Sequence, residues 1–352
     1  MERLVRSCYK KKSGYAFAKK AGDIAREYGI DRIARLASNE NPETLSPAAL
    51  KAAEEALRTV NRYPDERANV LIKALRAHYG DYHFVTGVGM DGVIETIVRA
   101  LVEPGEIVAV STPTFSFYAL AAMGQGAEVI TIPREADFSV DAKKLVRAAK
   151  NAKVTFLCSP NNPTGNATSP DVIREILEGT EGLLFLDNAY VEFAKTDYLP
   201  LLKKHENLVL GRTFSKVHSL AGLRIGYAFA PRWLPPWYQR AGTPFTVNAV
   251  SMAAAAAALS DTAHAGRYIA QVKRWRKRFM DEVKYPVLPS DANFVMVDVA
   301  PHTGDGMVEE LARRGLAVRS CRSFTGLRDH YIRVSVGEDW ENERFVQVIN
   351  SL

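Results

Sequence analysis

Several short stretches of this chain gather reactive residue types at intervals that suit one small-molecule site. Arg212-Thr213-Phe214-Ser215-Lys216 leads into His218-Ser219-Leu220-Ala221-Gly222-Leu223-Arg224, so that a lysine is followed eight positions later by an arginine. Alone, the lysine would be a solvated charge and the arginine half of a surface ion pair. Leu186-Asp187-Asn188-Ala189-Tyr190 sets a carboxylate at the end of an apolar run, where it could equally cap a helix. Ser159-Pro160-Asn161-Asn162-Pro163-Thr164-Gly165 is rich in turn residues. Gly87-Val88-Gly89-Met90-Asp91-Gly92 opens a helical pattern running through Arg99. A glycine-rich turn at a helix start offers free N–H groups and a favourable dipole to an anion.

In this order the motifs resemble those of fold-type I aminotransferases, which depend on pyridoxal 5'-phosphate. The resemblance implies that Lys216 holds the cofactor aldehyde covalently and shuttles the substrate's alpha proton, work that requires a primary amine. It implies that Thr213, Ser215 and Arg224 grip the cofactor phosphate, the arginine through its planar fork, with backbone donors at Gly89, Met90 and Asp91. Asp187 would keep the pyridine nitrogen protonated, so that the ring accepts electrons from the substrate. Tyr190 and Asn162 would face the ring hydroxyl, and Phe115, in Thr112-Pro113-Thr114-Phe115, would stack on the ring. The chain departs from the family pattern at Asn188, usually glutamate, and at Met90 and Gly92, where Gly-Ala/Ser-Asp-Glu is usual; no implied contact is lost.

Leu36-Ala37-Ser38-Asn39-Glu40-Asn41-Pro42 and Tyr63-Pro64-Asp65 narrow the resemblance to the histidinol-phosphate aminotransferases, over nearly the whole chain. That family implies a homodimer with shared active sites, in which Tyr63 reaches the neighbour's cofactor phosphate. It implies that Arg333 clamps a substrate carboxylate, that Arg319 and Tyr15 bind a substrate phosphate, and that Asn39 belongs to the substrate-binding set. Gly14-Tyr15 and Glu43-Thr44-Leu45 depart from the usual proline-tyrosine and glycine-containing stretch. The implied reaction is L-histidinol phosphate plus 2-oxoglutarate giving imidazole-acetol phosphate and glutamate, a step in histidine synthesis. Histidinol phosphate has no carboxylate, so Arg333 should meet its phosphate or solvent and engage glutamate in the other half-reaction. A threonine-phosphate decarboxylase and an aromatic or broad-range aminotransferase remain alternatives; Glu40 leans toward the transaminase. A non-catalytic regulator of this fold usually adds a DNA-binding domain, for which the chain shows no room.

The elements that must position these residues are legible in outline. At 352 residues, a large and a smaller domain are expected: an arm with part of the small domain over 1–40, a large cofactor-binding domain over 41–240, and a small domain over 241–352. From Tyr63 to Ala230, helical patterns alternate with apolar runs at Ile107–Val110, Glu128–Ile132, Val154–Leu157, Leu183–Leu186 and Leu208–Leu210. That is the signature of an α/β fold with a mostly parallel sheet covered by helices. Helices are expected at Met90–Leu101, Asp141–Lys150, Pro170–Glu178 and Ala265–Val283, and small-domain strands at Asn293–Val299, Ala317–Arg319 and Tyr331–Val336. The motifs then fall at the carboxyl ends of strands, where open α/β sheets bind ligands. An apolar fraction of 47% and a charged fraction of 24% describe an ordinary globular protein. The alanine-rich Ala249–Leu259 is too short to span a bilayer, and the first residues lack a secretory pattern; the expected place is the cytoplasm, with no membrane partner. Cys8, Cys158 and Cys321 have no metal or disulfide spacing, so no metal is expected. The net charge of +6 is scattered apart from Lys10-Lys11-Lys12 and Lys273–Arg278, which favours a small anionic substrate over nucleic acid.

Overall fold

A computed structural model describes residues 1–10 and 14–352; Lys11 and Lys12 of the basic run lie outside the described residues. Its strands are β1 (Ala34–Arg35), β2 (His83–Val88), β3 (Ile107–Thr112), β4 (Glu128–Pro133), β5 (Ala152–Cys158), β6 (Leu183–Asp187), β7 (Leu208–Thr213), β8 (Ile225–Ala230), β9 (Phe294–Asp298), β10 (Leu316–Ala317), β11 (Arg319–Ser320) and β12 (Tyr331–Ser335). Seven of them form one sheet in the order β2-β8-β7-β6-β5-β3-β4. The five expected apolar runs are its parallel members β3 to β7, while β8 lies antiparallel to β7 and β2. β5, β6 and β7 are almost entirely buried, as a sheet covered on both faces requires.

β2 and β8 fall outside the expected runs because each carries a mid-strand glycine that reads as a turn signal. Gly226 has a steric reason to be there. A Cβ on it would sit 2.6 Å from the Gly89 carbonyl carbon, so the first turn of the helix Gly89–Leu101 rests directly on strand backbone. The covering helices begin with ordinary caps: Asp141 accepts the Lys144 N–H ahead of Ala142–Ala148, and Ser169 accepts the Val172 N–H ahead of Pro170–Gly179.

The alanines of Ala249–Ala258 let that helix pack closely on Pro47–Leu57 and Asn69–Tyr79, and its residues join the core beneath the large sheet. The large core thus continues to Leu259, past the expected boundary at 240. A second core forms around the helices Thr262–Glu282 and Asp339–Ser351 and the antiparallel sheet β11-β12-β9. The expected strand Ala317–Arg319 is split at Val318: β10 pairs in parallel with β1, and β11 pairs with β12. Ala34 and Leu36 from the N-terminal segment belong to this second core, as do Ala189, Tyr190 and Val217 from the strand-end loops.

Candidate active site

β5, β6 and β7 are sheet neighbours, so their carboxyl ends, at Cys158, Asp187 and Thr213, lie side by side. The loops leaving them open into a cavity of about 500 Å³. Lys216, Asp187, Tyr190, Thr213, Ser215, Arg224, Met90, Asp91, Phe115, Asn162, Tyr15, Asn39 and Arg333 all line it, although they are spread from residue 15 to residue 333.

At its base Asp187 is buried. Its Oδ1 accepts the Ala189 N–H at 2.9 Å and its Oδ2 accepts the Tyr118 hydroxyl at 2.6 Å. Burial pushes the carboxyl up to about 6, against the pull of the Tyr118 hydrogen bond. Lys216 Nζ lies 5.7 Å from the centre of the Tyr190 ring. Burial, and then the positive charge of Arg333, bring the Lys216 ammonium down to about 8. About one-tenth of it is therefore the free amine at pH 7, against less than a thousandth for a lysine in water.

Tyr190 is held by Asn39, whose Nδ2 donates to the phenol oxygen at 3.1 Å. Asn39 is itself fixed twice by Ser335: its N–H donates to Ser335 Oγ at 2.8 Å, and Ser335 Oγ donates to its Oδ1 at 2.9 Å. Because Oδ1 is taken by the serine, the amide must present N–H to Tyr190, which leaves the single phenol proton free to point into the cavity. Asn162 is oriented the same way, since its Oδ1 accepts Arg333 Nη1 at 2.6 Å. Arg333 Nη2 donates to the Ala37 carbonyl at 2.6 Å, and its buried Nε finds no partner among the described residues.

At the other end Arg224 sits in the left-handed region, φ 48°, with Nη2 2.8 Å from Asp91 Oδ2. Gly89, φ 67°, does not line the cavity but lies directly under this arginine: a Cβ on it would meet Arg224 Nη2 at 2.5 Å. Thr213 Oγ1 accepts the Ser215 N–H at 3.1 Å. Two hydroxyls, a guanidinium and the first N–H groups of Gly89–Leu101 thus converge.

Arg319 lies outside this cavity and lines an adjoining one of about 640 Å³ together with Tyr15 and Arg333. Its guanidinium is 5.6 Å from the Tyr15 ring. Arg319 and Arg333 are cross-strand partners on β11 and β12, which explains their sequence interval, and both are more than nine-tenths buried. Among the described residues neither has a carboxylate partner within ion-pair distance. Tyr63 is not part of the cavity: it is 83% exposed and stacks on Phe245 with ring centres 4.6 Å apart. His218 rests against Phe214, and burial brings its imidazole down to about 4.

Sequence reasoning missed Tyr118, Ser335 and Glu40 as members of the site. Tyr118 is one tyrosine in an apolar helical run, and only the sheet order brings it under Asp187. Ser335 carried one legible signal, since it stands two residues after Arg333 on a strand and therefore shares its face.

These residues fit pyridoxal 5'-phosphate. An enclosed amine suits its aldehyde, a buried and doubly hydrogen-bonded carboxylate suits its ring nitrogen, and the glycine-floored cradle at Arg224 suits its phosphate. A family model described as aminotransferase class I and II matches residues 31–349. The chain is 62% identical to a histidinol-phosphate aminotransferase of Methanoculleus marisnigri and 55% identical to one of Methanosphaerula palustris, each covering the whole of both chains. The structure resembles that of the histidinol-phosphate aminotransferase of Sinorhizobium meliloti in complex with pyridoxal-5'-phosphate, with a TM-score of 0.87 and 26% identity over 99% of this chain and 97% of that one. The chain belongs to the class I and II aminotransferases and, within them, to the histidinol-phosphate aminotransferase family.

Proposed function

We propose that this chain transfers the amino group of L-histidinol phosphate to 2-oxoglutarate, forming imidazole-acetol phosphate and glutamate, in the cytoplasm. The observation that carries the substrate choice is the Arg319–Arg333 pair. Two buried guanidinium groups directly opposite on one sheet face repel each other, and among the described residues no acidic side chain within ion-pair distance offsets them. The phosphate of histidinol phosphate in one half-reaction and the carboxylate of glutamate in the other would supply the missing negative charge.

When bound, pyridoxal 5'-phosphate supplies the electron sink that makes the alpha carbon acidic. In our reading Asp187 holds the ring nitrogen, and Tyr190 and Asn162 donate toward the ring hydroxyl. Phe115 lies on the ring face. Thr213, Ser215, Arg224 and the N–H groups of Met90 and Asp91 take the phosphate; the Asp91 side chain holds Arg224 ready. Lys216, with its lowered proton affinity, removes the alpha proton at Nζ and returns it one carbon away. Arg333 orients glutamate through its carboxylate, while Tyr15 and Arg319 close on the phosphate of histidinol phosphate beside Asn39. Tyr63 is exposed because its target is the cofactor phosphate of a second copy, so the working unit is a homodimer. We divide the chain into arm (1–40), large (41–240) and small (241–352) domains, with Ala249–Ala258 carried by the large one.

The test is an amino-donor comparison on the cofactor-loaded protein, with glutamate formed from 2-oxoglutarate as the readout. Histidinol phosphate should be the preferred donor over threonine phosphate and phenylalanine. Carbon dioxide release from threonine phosphate, or reaction with aromatic amino acids alone, would overturn the assignment.

A further inference from the structure

Behind Asp187 stands a group that none of the cofactor contacts uses. Tyr118, in the helix Phe117–Gln125, is fully buried, and its hydroxyl donates to Asp187 Oδ2. The ring cannot swing away. It stacks on Phe156 with centres 5.0 Å apart and planes within 5°, and meets Phe115 edge-on at 5.5 Å. Phe156 lies on β5, whose register pairs it with Phe185 on β6 two residues before Asp187. Strand pairing therefore carries both the carboxylate and the ring that holds its partner. A polar group among so many rings needs a function or a partner, and the Tyr118 hydroxyl donates to the Asp187 carboxylate with the Cys158 sulfur beside it.

We propose that Tyr118 is a positioning residue for the transamination: its phenol aims the Asp187 carboxylate at the cofactor's ring nitrogen and sustains its negative charge in an apolar pocket. This rests on Asp187 being the nitrogen's partner. Of the two oxygens, Oδ1 is tied to its own loop through Ala189, and among the described residues only Tyr118 donates to Oδ2. The other titratable groups facing Asp187 are Asp91 from Gly89–Leu101, Lys216 after β7, Cys158 on β5 and Tyr190 after β6. Cys158 stays a neutral thiol, pushed up to about 12 by burial. None of these donates a hydrogen bond to the carboxylate. Removing the Tyr118 hydroxyl leaves a bare oxygen in an apolar pocket, and the carboxylate then takes up a proton at higher pH.

The experiment measures the dissociation constant of pyridoxal 5'-phosphate between pH 5 and 8.5 for the wild-type protein, Tyr118→Phe and Asp187→Asn. Ratios are taken at each pH, so that the cofactor's own titrations cancel. Tyr118→Phe keeps the stacked ring. Loss of one hydrogen bond to a charged group should move the Asp187 midpoint up by about one pH unit. The variant should then bind about threefold more weakly than wild type near pH 6.5, approach tenfold below pH 5.5, and converge above pH 8. For Asp187→Asn the ratio should instead grow as pH rises. A Tyr118→Phe ratio that does not change with pH, beside an Asp187→Asn ratio that grows, overturns the role of Tyr118 alone. A flat Asp187→Asn ratio overturns the reading of Asp187 itself. Should Tyr118→Phe not fold, a fluorinated tyrosine at position 118, a stronger donor of nearly the same shape, must shift the midpoint down; an unchanged midpoint sinks the proposal.

Discussion

Lys216 illustrates what a single residue's surroundings do to its chemistry. In water its amine would be almost wholly protonated at pH 7; here burial and Arg333 bring it to about 8. In the proposed mechanism, replacing it with alanine removes both the covalent anchor and the proton carrier. Lys216→Ala should lower the transamination rate by on the order of 10³-fold or more, measured as glutamate formed per site. Ser335 tests a subtler dependence. Ser335→Ala frees the Asn39 amide to flip and to offer its oxygen to Tyr190, which would then turn its proton away from the place proposed for the ring hydroxyl. We expect kcat to fall roughly tenfold, the worth of one well-placed hydrogen bond, with the KM for 2-oxoglutarate little changed and Ser335→Thr restoring most of the rate. At this scale the sequence was partly legible. Lys216, Asp187 and Asn162 announce themselves by neighbours close in the chain. Ser335 acts on a residue 296 positions away and Tyr118 on one 69 positions away, and nothing local marks them.

At the scale of elements, continuous apolar runs identified the parallel strands because burial on both faces leaves no room for polar alternation. The same rule hid β2 and β8, whose glycines serve a close approach and not a turn. Gly226→Ala tests that account. Its Cβ would press on the Gly89 and Met90 backbone, which cannot yield as a flexible side chain would. The helix Gly89–Leu101 must then lift from the sheet. We expect a loss of about 1–3 kcal/mol of stability in thermal melting and weaker phosphate binding at the same helix start. That the large core runs on to Leu259 was not legible for a related reason: an alanine-rich helix looks alike wherever it packs, and only its fit against Pro47–Leu57 reveals which core it joins.

For the molecule as a whole, two buried groups set opposing responses to acid. His218 takes a proton near 6.5 when unfolded but near 4 when folded, so acidification through that window favours unfolding. Asp187 titrates near 3.8 unfolded and about 6 folded, so the same acidification favours folding. Each is worth on the order of 3 kcal/mol and they largely cancel. Asp187→Asn removes the second alone: without cofactor, that variant should melt a few degrees higher than wild type above pH 7, and lose the advantage only by about pH 3.5, below both titration points. The proposed dimer has its own test. Lys216→Ala and Tyr63→Ala subunits should each be weak alone, yet mixing them should recover activity, because one site of every hybrid draws an intact lysine from one copy and an intact tyrosine from the other.

The parallel pairing of β1 with β10 bears on how the chain is made. A ribosome releases Ala34 well before its strand partner Leu316, which lies much further along the chain. The seven-stranded sheet closes at Ala230 and can collapse while translation continues. The segment around Ala34, by contrast, has to wait unpaired, so the pocket to which it leads through Asn39 cannot be finished until Leu316 and its neighbours have come out to meet it.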